Sequence, residues 1–146
     1  MTVLSDADIL KFIEEGLLKI EPLDPNSISP AGYDLRSAIS KILEPRSTVL
    51  INTLEAVELS TYVCGQIFIR SSFAREGLFG SFAFVDPGFR GQLTLSLSNL
   101  GDASIDIRAG ERIAQIIFLS LLTPTHRPYG GRYQNSSGVV GSRRSF

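Results

Sequence analysis

A chain of 146 residues with an ordinary apolar share suits one globular domain, which buries about 68–70% of the surface its unfolded form exposes. Fourteen basic against fifteen acidic side chains leave a net charge of −1, which excludes the basic excess of a nucleic-acid-coating surface and means that the arginines must be read where they cluster. The single cysteine, Cys64, excludes an internal disulfide. The start of the chain lacks a signal-peptide pattern and no apolar run reaches membrane-spanning length, so the expectation is a cytoplasmic protein with no membrane partner.

Ser5 followed three residues later by Asp8 has the spacing of a capping box with Asp in place of Glu. Ile9, Phe12, Ile13 and Leu17 then share one helical face, which predicts a short amphipathic helix over 6–16 that ends at Gly16. Residues 22–30 are rich in Pro, Asp, Asn and Ser and read as a loop. Beyond it, strands are predicted at 48–51, 56–59, 65–70, 93–97, 105–107 and 112–122, each short, apolar or alternating, and bounded by turn signals. Cys64 lies in an apolar stretch, which predicts a buried, inert thiol. Leu93, Leu95 and Leu97 alternate with Thr94, Ser96 and Ser98, so Ser96 points away from the leucine face. Many short strands and one appended helix predict a mainly β barrel or sandwich. Residues 123–146 turn to Gly, Ser and Arg with little apolar periodicity, and cannot bury enough surface to fold alone. They read as a frayed end, or as a flexible flap that orders over an anion through Arg132, Arg143 and Arg144, appended to a domain over 1–122.

Two segments concentrate chemistry. Residues 70–78 (RSSFAREGL) bring Arg70, Ser71, Ser72 and Arg75 together, a planar fork and short donors suited to phosphate oxygens; equally, they suit a helix start capped by Ser71 or Ser72 with its arginines in solvent. Residues 84–91 (FVDPGFRG) hold Asp86 at the mouth of a turn, because Pro87 restricts the residue before it to extended backbone and Pro-Gly favours a turn. Asp86 is then either turn chemistry or a general base for a water, and Phe89 either core or a surface for a sugar. Arg112 and Gln115, at the start of a strand, either support this site or sit on a solvated face. One His126 and one Cys64 cannot build the His/Cys/Cys zinc site of zinc deaminases, and no Gly-Lys-Ser/Thr phosphate loop occurs.

In order along nearly the whole chain, these segments resemble the superfamily of trimeric dUTP pyrophosphatases and dCTP deaminases. Ala31-Gly32-Tyr33-Asp34-Leu35 looks like the first dUTPase motif, Arg70-Ser71-Ser72 the second, Phe84-Val85-Asp86-Pro87-Gly88-Phe89-Arg90-Gly91 the third and Gly110 to Gln115 the fourth, followed by a glycine-rich tail. The start (LSDADILKFIEEGLLKIEPLDP) and the tail around Pro128-Tyr129 and Tyr133-Gln134 look more like the deaminase branch. In that branch the strand after the third motif carries a glutamate that is the general acid/base on the cytosine ring; Ser96 stands there here. A hydroxyl cannot shuttle protons at neutral pH as a carboxylate does, which costs about 10²–10⁴-fold.

The resemblance therefore implies an archaeal-type, deaminase-like dUTPase with a distorted β-barrel of the β-clip or jelly-roll kind. It implies a homotrimer with sites between subunits, and Mg²⁺ held by the triphosphate and water with no direct protein ligand. Asp86 is the implied water-activating base, releasing dUMP and pyrophosphate. Arg70, Ser71, Ser72, Arg75 and Gln115 are the implied phosphate ligands, Phe89 packs on the deoxyribose, and backbone between Gly80 and Val85 reads the uracil edge beside Ser96. Tyr129, Arg132, Tyr133, Ser142 and Arg143 close over the triphosphate, with Asp34 and Arg112 in support. The tail reads Gly138-Val139-Val140-Gly141-Ser142 where dUTPases carry a Gly-Phe-Gly-Ser core. Two other readings stand beside this one: dCTP deamination, alone or coupled to hydrolysis, and a non-catalytic trimeric nucleotide-binding module.

Overall fold

The computed structural model describes residues 2–145. A two-residue strand, β1 (Thr2–Val3), leads into α1 (Asp6–Glu14). Ser5 caps α1 with the anticipated box: Asp8 N donates to Ser5 Oγ at 3.2 Å and Ser5 N to Asp8 Oδ2 at 3.0 Å. The bond from Ser5 N first, and a second from the Ser5 hydroxyl to Asp8 Oδ2 at 2.9 Å, hold the Asp8 carboxyl below its ordinary range. The helix is shorter than the predicted span because the chain leaves it through Gly16 at φ +72°, with Gly16 N donating to Ile13 O and Leu17 N to Phe12 O. That pair of bonds is a Schellman close, which needs a left-handed residue at its centre. Ile9 is wholly buried and Phe12 and Ile13 pack on the core, as the periodicity predicts.

The remaining elements are β2 (Leu18–Glu21), a 3₁₀ turn (Pro25–Ser27), β3 (Ile28–Ser29), β4 (Gly32–Arg36), β5 (Lys41–Leu43), β6 (Thr48–Leu59), β7 (Val63–Ile69), α2 (Ser71–Arg75), β8 (Leu78–Ser81), β9 (Arg90–Asn99), β10 (Ile105–Ile107) and β11 (Arg112–Ser120). The fold is mainly β, as expected, in three sheets. One runs β2-β6-β9-β8; a second has β11 at its centre, with β4 and β1 along one edge and β7 along the other; β5 and β10 form a short third pair. All neighbouring pairs of strands are antiparallel. Buried leucines and isoleucines of β4, β6, β9 and β11, with Tyr33 and Phe118, share one apolar core.

One feature was not legible as an element. Segments 48–51 and 56–59 are one strand, β6, interrupted by a bulge in which Thr53, Leu54 and Glu55 oppose only Leu93 of β9. Polar Asn52, Thr53 and Glu55 look like a turn in sequence, but all three are buried and bonded: Leu93 N donates to Thr53 Oγ1 at 3.0 Å, and Thr53 Oγ1 to the Glu55 carbonyl at 2.7 Å. α2 is the helix start that one reading of residues 70–78 offers, with a different cap. Arg70 occupies its N-cap position and makes no capping bond, so neither serine caps it.

Candidate active site

Asp86 is fixed from both sides. Val85 and Gly65 exchange backbone bonds of 2.9 Å, which ties the residue before Asp86 to β7. Asp86 to Phe89 then make a type II turn: Phe89 N donates to Asp86 O at 3.1 Å, Pro87 takes the second position, and Gly88 takes the third at φ +88°. Gly88 N donates to Leu59 O and Leu59 N to Phe89 O, so the turn is also sewn to the end of β6. The carboxylate is exposed on this rigid corner.

From the turn the chain enters β9, whose alternation is as predicted: Leu93, Leu95 and Leu97 are buried, and Thr94, Ser96 and Ser98 face outward. Over that outer face lies a cavity of about 500 Å³. Its floor includes Leu50, Thr94 and Ser96; one wall is the segment from Phe82 to Asp86 with Phe89; the other is the tail, through Tyr129, Tyr133 and 140–142. Phe89 is both core and cavity wall, 8% exposed and edge-on to Tyr129 at 5.7 Å between centroids. Asp86 is the only carboxylate among the lining residues, and no lysine or arginine lines the cavity. Cys64 sits behind the Asp86 corner, lining a second cavity with Asp86, and is 3% exposed. Burial first and the Asp86 charge second push its thiol above its ordinary value, so it stays protonated and inert at neutral pH.

The tail lies along β9. Asn135 N donates to Arg90 O and Gln92 N to Ser136 O, both at 2.8 Å, with Gly91 and Ser136 in a parallel bridge. The Gln134 side chain spans the turn, accepting from Arg90 N and donating to Gly88 O, each at 2.8 Å. Arg132 and Arg143 donate to each other's carbonyl oxygens, and Arg143 lies over the Tyr133 ring at 5.9 Å.

A second cluster forms where β4, β11 and the end of β7 meet. Gln115 and Asp34 are register partners on β11 and β4. Arg70 Nε lies 3.4 Å from Asp34 Oδ2, and Arg70 also reaches the Arg112 carbonyl. Gln115 donates to Ser29 Oγ at 2.8 Å, and Arg112 lies 3.8 Å from Asp24. Gly32 allows this approach, since a Cβ there would stand 2.6 Å from the Ile116 carbonyl oxygen. Ser71, Ser72 and Arg75 follow on α2, exposed.

Of the anticipated site residues, Val85, Asp86, Phe89, Ser96, Tyr129, Tyr133 and Ser142 line the cavity together. Arg132 and Arg143 stand behind Tyr133. Gly80 pairs with Leu97 under the Phe82 ring, which comes so close that a Cβ at 80 would clash. Arg70, Ser71, Ser72, Arg75 and Gln115 are not in the cavity: one chain does not bring this anticipated set to Asp86. The reading missed Gln92 and Thr94, whose side chains accept from the tail's Gly138 and Val140 N–H groups at 2.6 and 3.0 Å. The alternation that turned Ser96 outward holds the signal for both, since 92 and 94 lie on the same face.

Comparison with known proteins matches this arrangement to a family. A family model described as dCTP deaminase-like matches residues 39–121. The dCTP deaminase of Pyrococcus horikoshii is 44% identical over 86% of this chain and 90% of its own. The chain belongs to the dCTP deaminase-like family. Another relative, the probable deoxyuridine 5′-triphosphate nucleotidohydrolase of Sulfolobus islandicus rod-shaped virus 1, is 36% identical over 94% of this chain and 96% of its own. The fold of the family is shared with dUTPases: a mutant dUTPase of Staphylococcus bacteriophage 80alpha, solved with dUpNHpp, aligns with a TM-score of 0.61 at 25% identity, over 78% of this chain and 91% of that one. The dUTPase/dCTP deaminase superfamily suggested by the motifs is thus the right one.

Proposed function

We propose that this member of the family hydrolyses dUTP to dUMP and pyrophosphate, with Asp86 as the base that takes a proton from the attacking water. The observation that carries the reading is the cavity's composition: Ser96 on its floor and Asp86 as its only carboxylate. Deamination needs a proton donor and acceptor at the pyrimidine ring, and a serine hydroxyl supplies neither at neutral pH. Glu76 and Glu111, the carboxylates nearest the motifs, are exposed and outside the cavity lining. Ser96 and the backbone of 80–85 are suited to the base, and Phe89 to the sugar.

A triphosphate brings several negative charges to a cavity lined by no cation. The arginines that could balance them, Arg70 and Arg75, stand at the other cluster of the chain, with Ser71, Ser72 and Gln115. This division supports a homotrimer in which the Asp86 cavity of one subunit meets the arginine cluster of the next. Among the described residues no group of three or more His, Cys, Asp or Glu converges to cage a cation. That donor set fits Mg²⁺ arriving with the triphosphate, whose oxygens and waters complete its shell and whose charge the ion offsets. The protein's part is to orient the substrate and hold the proton acceptor.

A second reading, deamination of dCTP, is favoured by the names of the 44% identical relatives. A parallel assay of dUTP, dCTP and dTTP that scores pyrophosphate and ammonia separately decides between them. Pyrophosphate from dUTP, with no ammonia from dCTP, is the expected result. Ammonia from dCTP overturns the assignment, and tight dUTP binding with neither product points to the non-catalytic module.

A further inference from the structure

We propose that Gln92 is a positioning residue, the latch that registers the tail on β9 of its own chain, so that the subunit supplying the base also supplies the strap over it. The inference rests on the composite dUTP site and divides it: base and strap come from one chain, arginines from another.

The Gln92 amide bonds in two directions. Its Oε1 accepts from Gly138 N at 2.6 Å and from Asn52 Nδ2 at 3.3 Å, and its Nε2 donates to the Leu54 carbonyl at 3.3 Å. One side of the amide thus holds the tail, while the β6 bulge fixes the amide's orientation, because the carbonyl oxygen must face the two donors. Thr94, the next outward residue, accepts from Val140 N.

The backbone is fitted to the same crossing. Gly91 has φ +144°, and a Cβ there would stand 2.7 Å from Ser136 N; at Gly88 it would stand 2.6 Å from Pro128 Cβ. The turn and strand therefore lack side chains where the tail lies against them, a close approach that glycine permits. Donors, acceptors and cleared space all match within one chain.

The strap carries trypsin sites at Arg132, Arg143 and Arg144. Gln92→Met keeps the length of the side chain and removes the amide. Losing a short bond of this kind is expected to speed strap cleavage about tenfold and lower kcat for dUTP by a similar factor, with KM changed less. Gln92→Glu keeps the acceptor for Gly138 but turns its second oxygen onto the Leu54 carbonyl, so it is expected to be as loose as Gln92→Met, because the latch needs both ends of the amide. Wild-type cleavage and kcat in Gln92→Met or in Gln92→Glu overturns the latch.

Mixed assemblies test the division. Gly138→Pro deletes the N–H that Gln92 accepts and cannot adopt φ +68°, so it disables the strap in the full-length chain. Co-assembled Asp86→Asn and Gly138→Pro chains never join an intact base to its own intact strap, and no turnover above that of the separate variants is expected. Recovery overturns same-chain closure. Co-assembled Asp86→Asn and Arg75→Ala chains are expected to recover turnover. Failure of that arm alone, with the cleavage results standing, brings down the composite site and leaves the latch.

Discussion

Asp86→Asn is expected to keep dUTP binding and to lose turnover by about 10²–10⁴-fold, the usual worth of a positioned general base. Asparagine has nearly the shape of aspartate and the same liking for the position before Pro-Gly, so the corner built by Val85, Pro87 and Gly88 should hold. The carboxylate is exposed and makes no hydrogen bond or ion pair among the described residues, so its loss leaves no buried group stranded and thermal stability should barely change. What asparagine cannot do is accept the water's proton. Calorimetric titration with a non-hydrolysable dUTP analogue, set beside pyrophosphate release from dUTP, separates the two effects. Turnover retained in the variant would sink the role of Asp86. Binding lost along with turnover would mean that the carboxylate acts in holding the substrate.

The parts of this molecule that sequence made visible are those where a local rule and the tertiary structure agree. Ser5 and Asp8 form the cap that their spacing announces, and the leucines of β9 face the core as their alternation requires. β6 was split because Asn52, Thr53 and Glu55 carry the polarity of a turn, and their burial depends on partners in Gln92, Leu93 and Arg36 that are close only after folding. Strands β2, β4, β5 and β8 were missed for a related reason: they are only three to five residues long and are held by neighbours rather than by their own pattern. The site divides in the same way. Asp86 and Ser96 could be found because a turn and an alternation place them. Gln92 carries no motif of its own, and its role follows from the positions of Gly138 and the β6 bulge. The separation of Arg70, Ser71 and Arg75 from Asp86 is likewise a property of the folded chain, since only a few residues part these segments in sequence.

The largest effects on stability are expected at the Glu55–Arg36 pair, with Glu55 at the heart of that bulge. Its side chain is fully buried, yet both oxygens are occupied: Oε1 takes Arg36 Nε at 2.7 Å and the Tyr33 hydroxyl at 3.3 Å, and Oε2 takes Arg36 N at 2.9 Å. The bond to Glu55 is the main reason that the Arg36 guanidinium holds its proton more tightly than usual, and burial first raises the Tyr33 phenol, whose oxygen also accepts from Asp24 N. Glu55→Ala would open a cavity and strand three donors together. Breaking a buried pair from one side costs about 3–5 kcal/mol. Arg36 keeps 19% of its side-chain surface in solvent and can partly rehydrate, which argues for the lower end. For a chain of this size about 3 kcal/mol corresponds to a melting point lower by roughly 6–12 °C. Arg36→Met should cost more than Glu55→Ala, because the carboxylate it strands has no solvent to turn to. The double variant Arg36→Met with Glu55→Leu removes both charges and should be more stable than Arg36→Met alone, with a coupling of about 0.5–3 kcal/mol in a double-mutant cycle. Strict additivity would mean that the pair is incidental to the bulge. The same cycle reads out function, because Asn52 and the Leu54 carbonyl, which orient Gln92, belong to this bulge. Loss of Glu55 should therefore expose the strap to trypsin at temperatures well below the melting point of the variant.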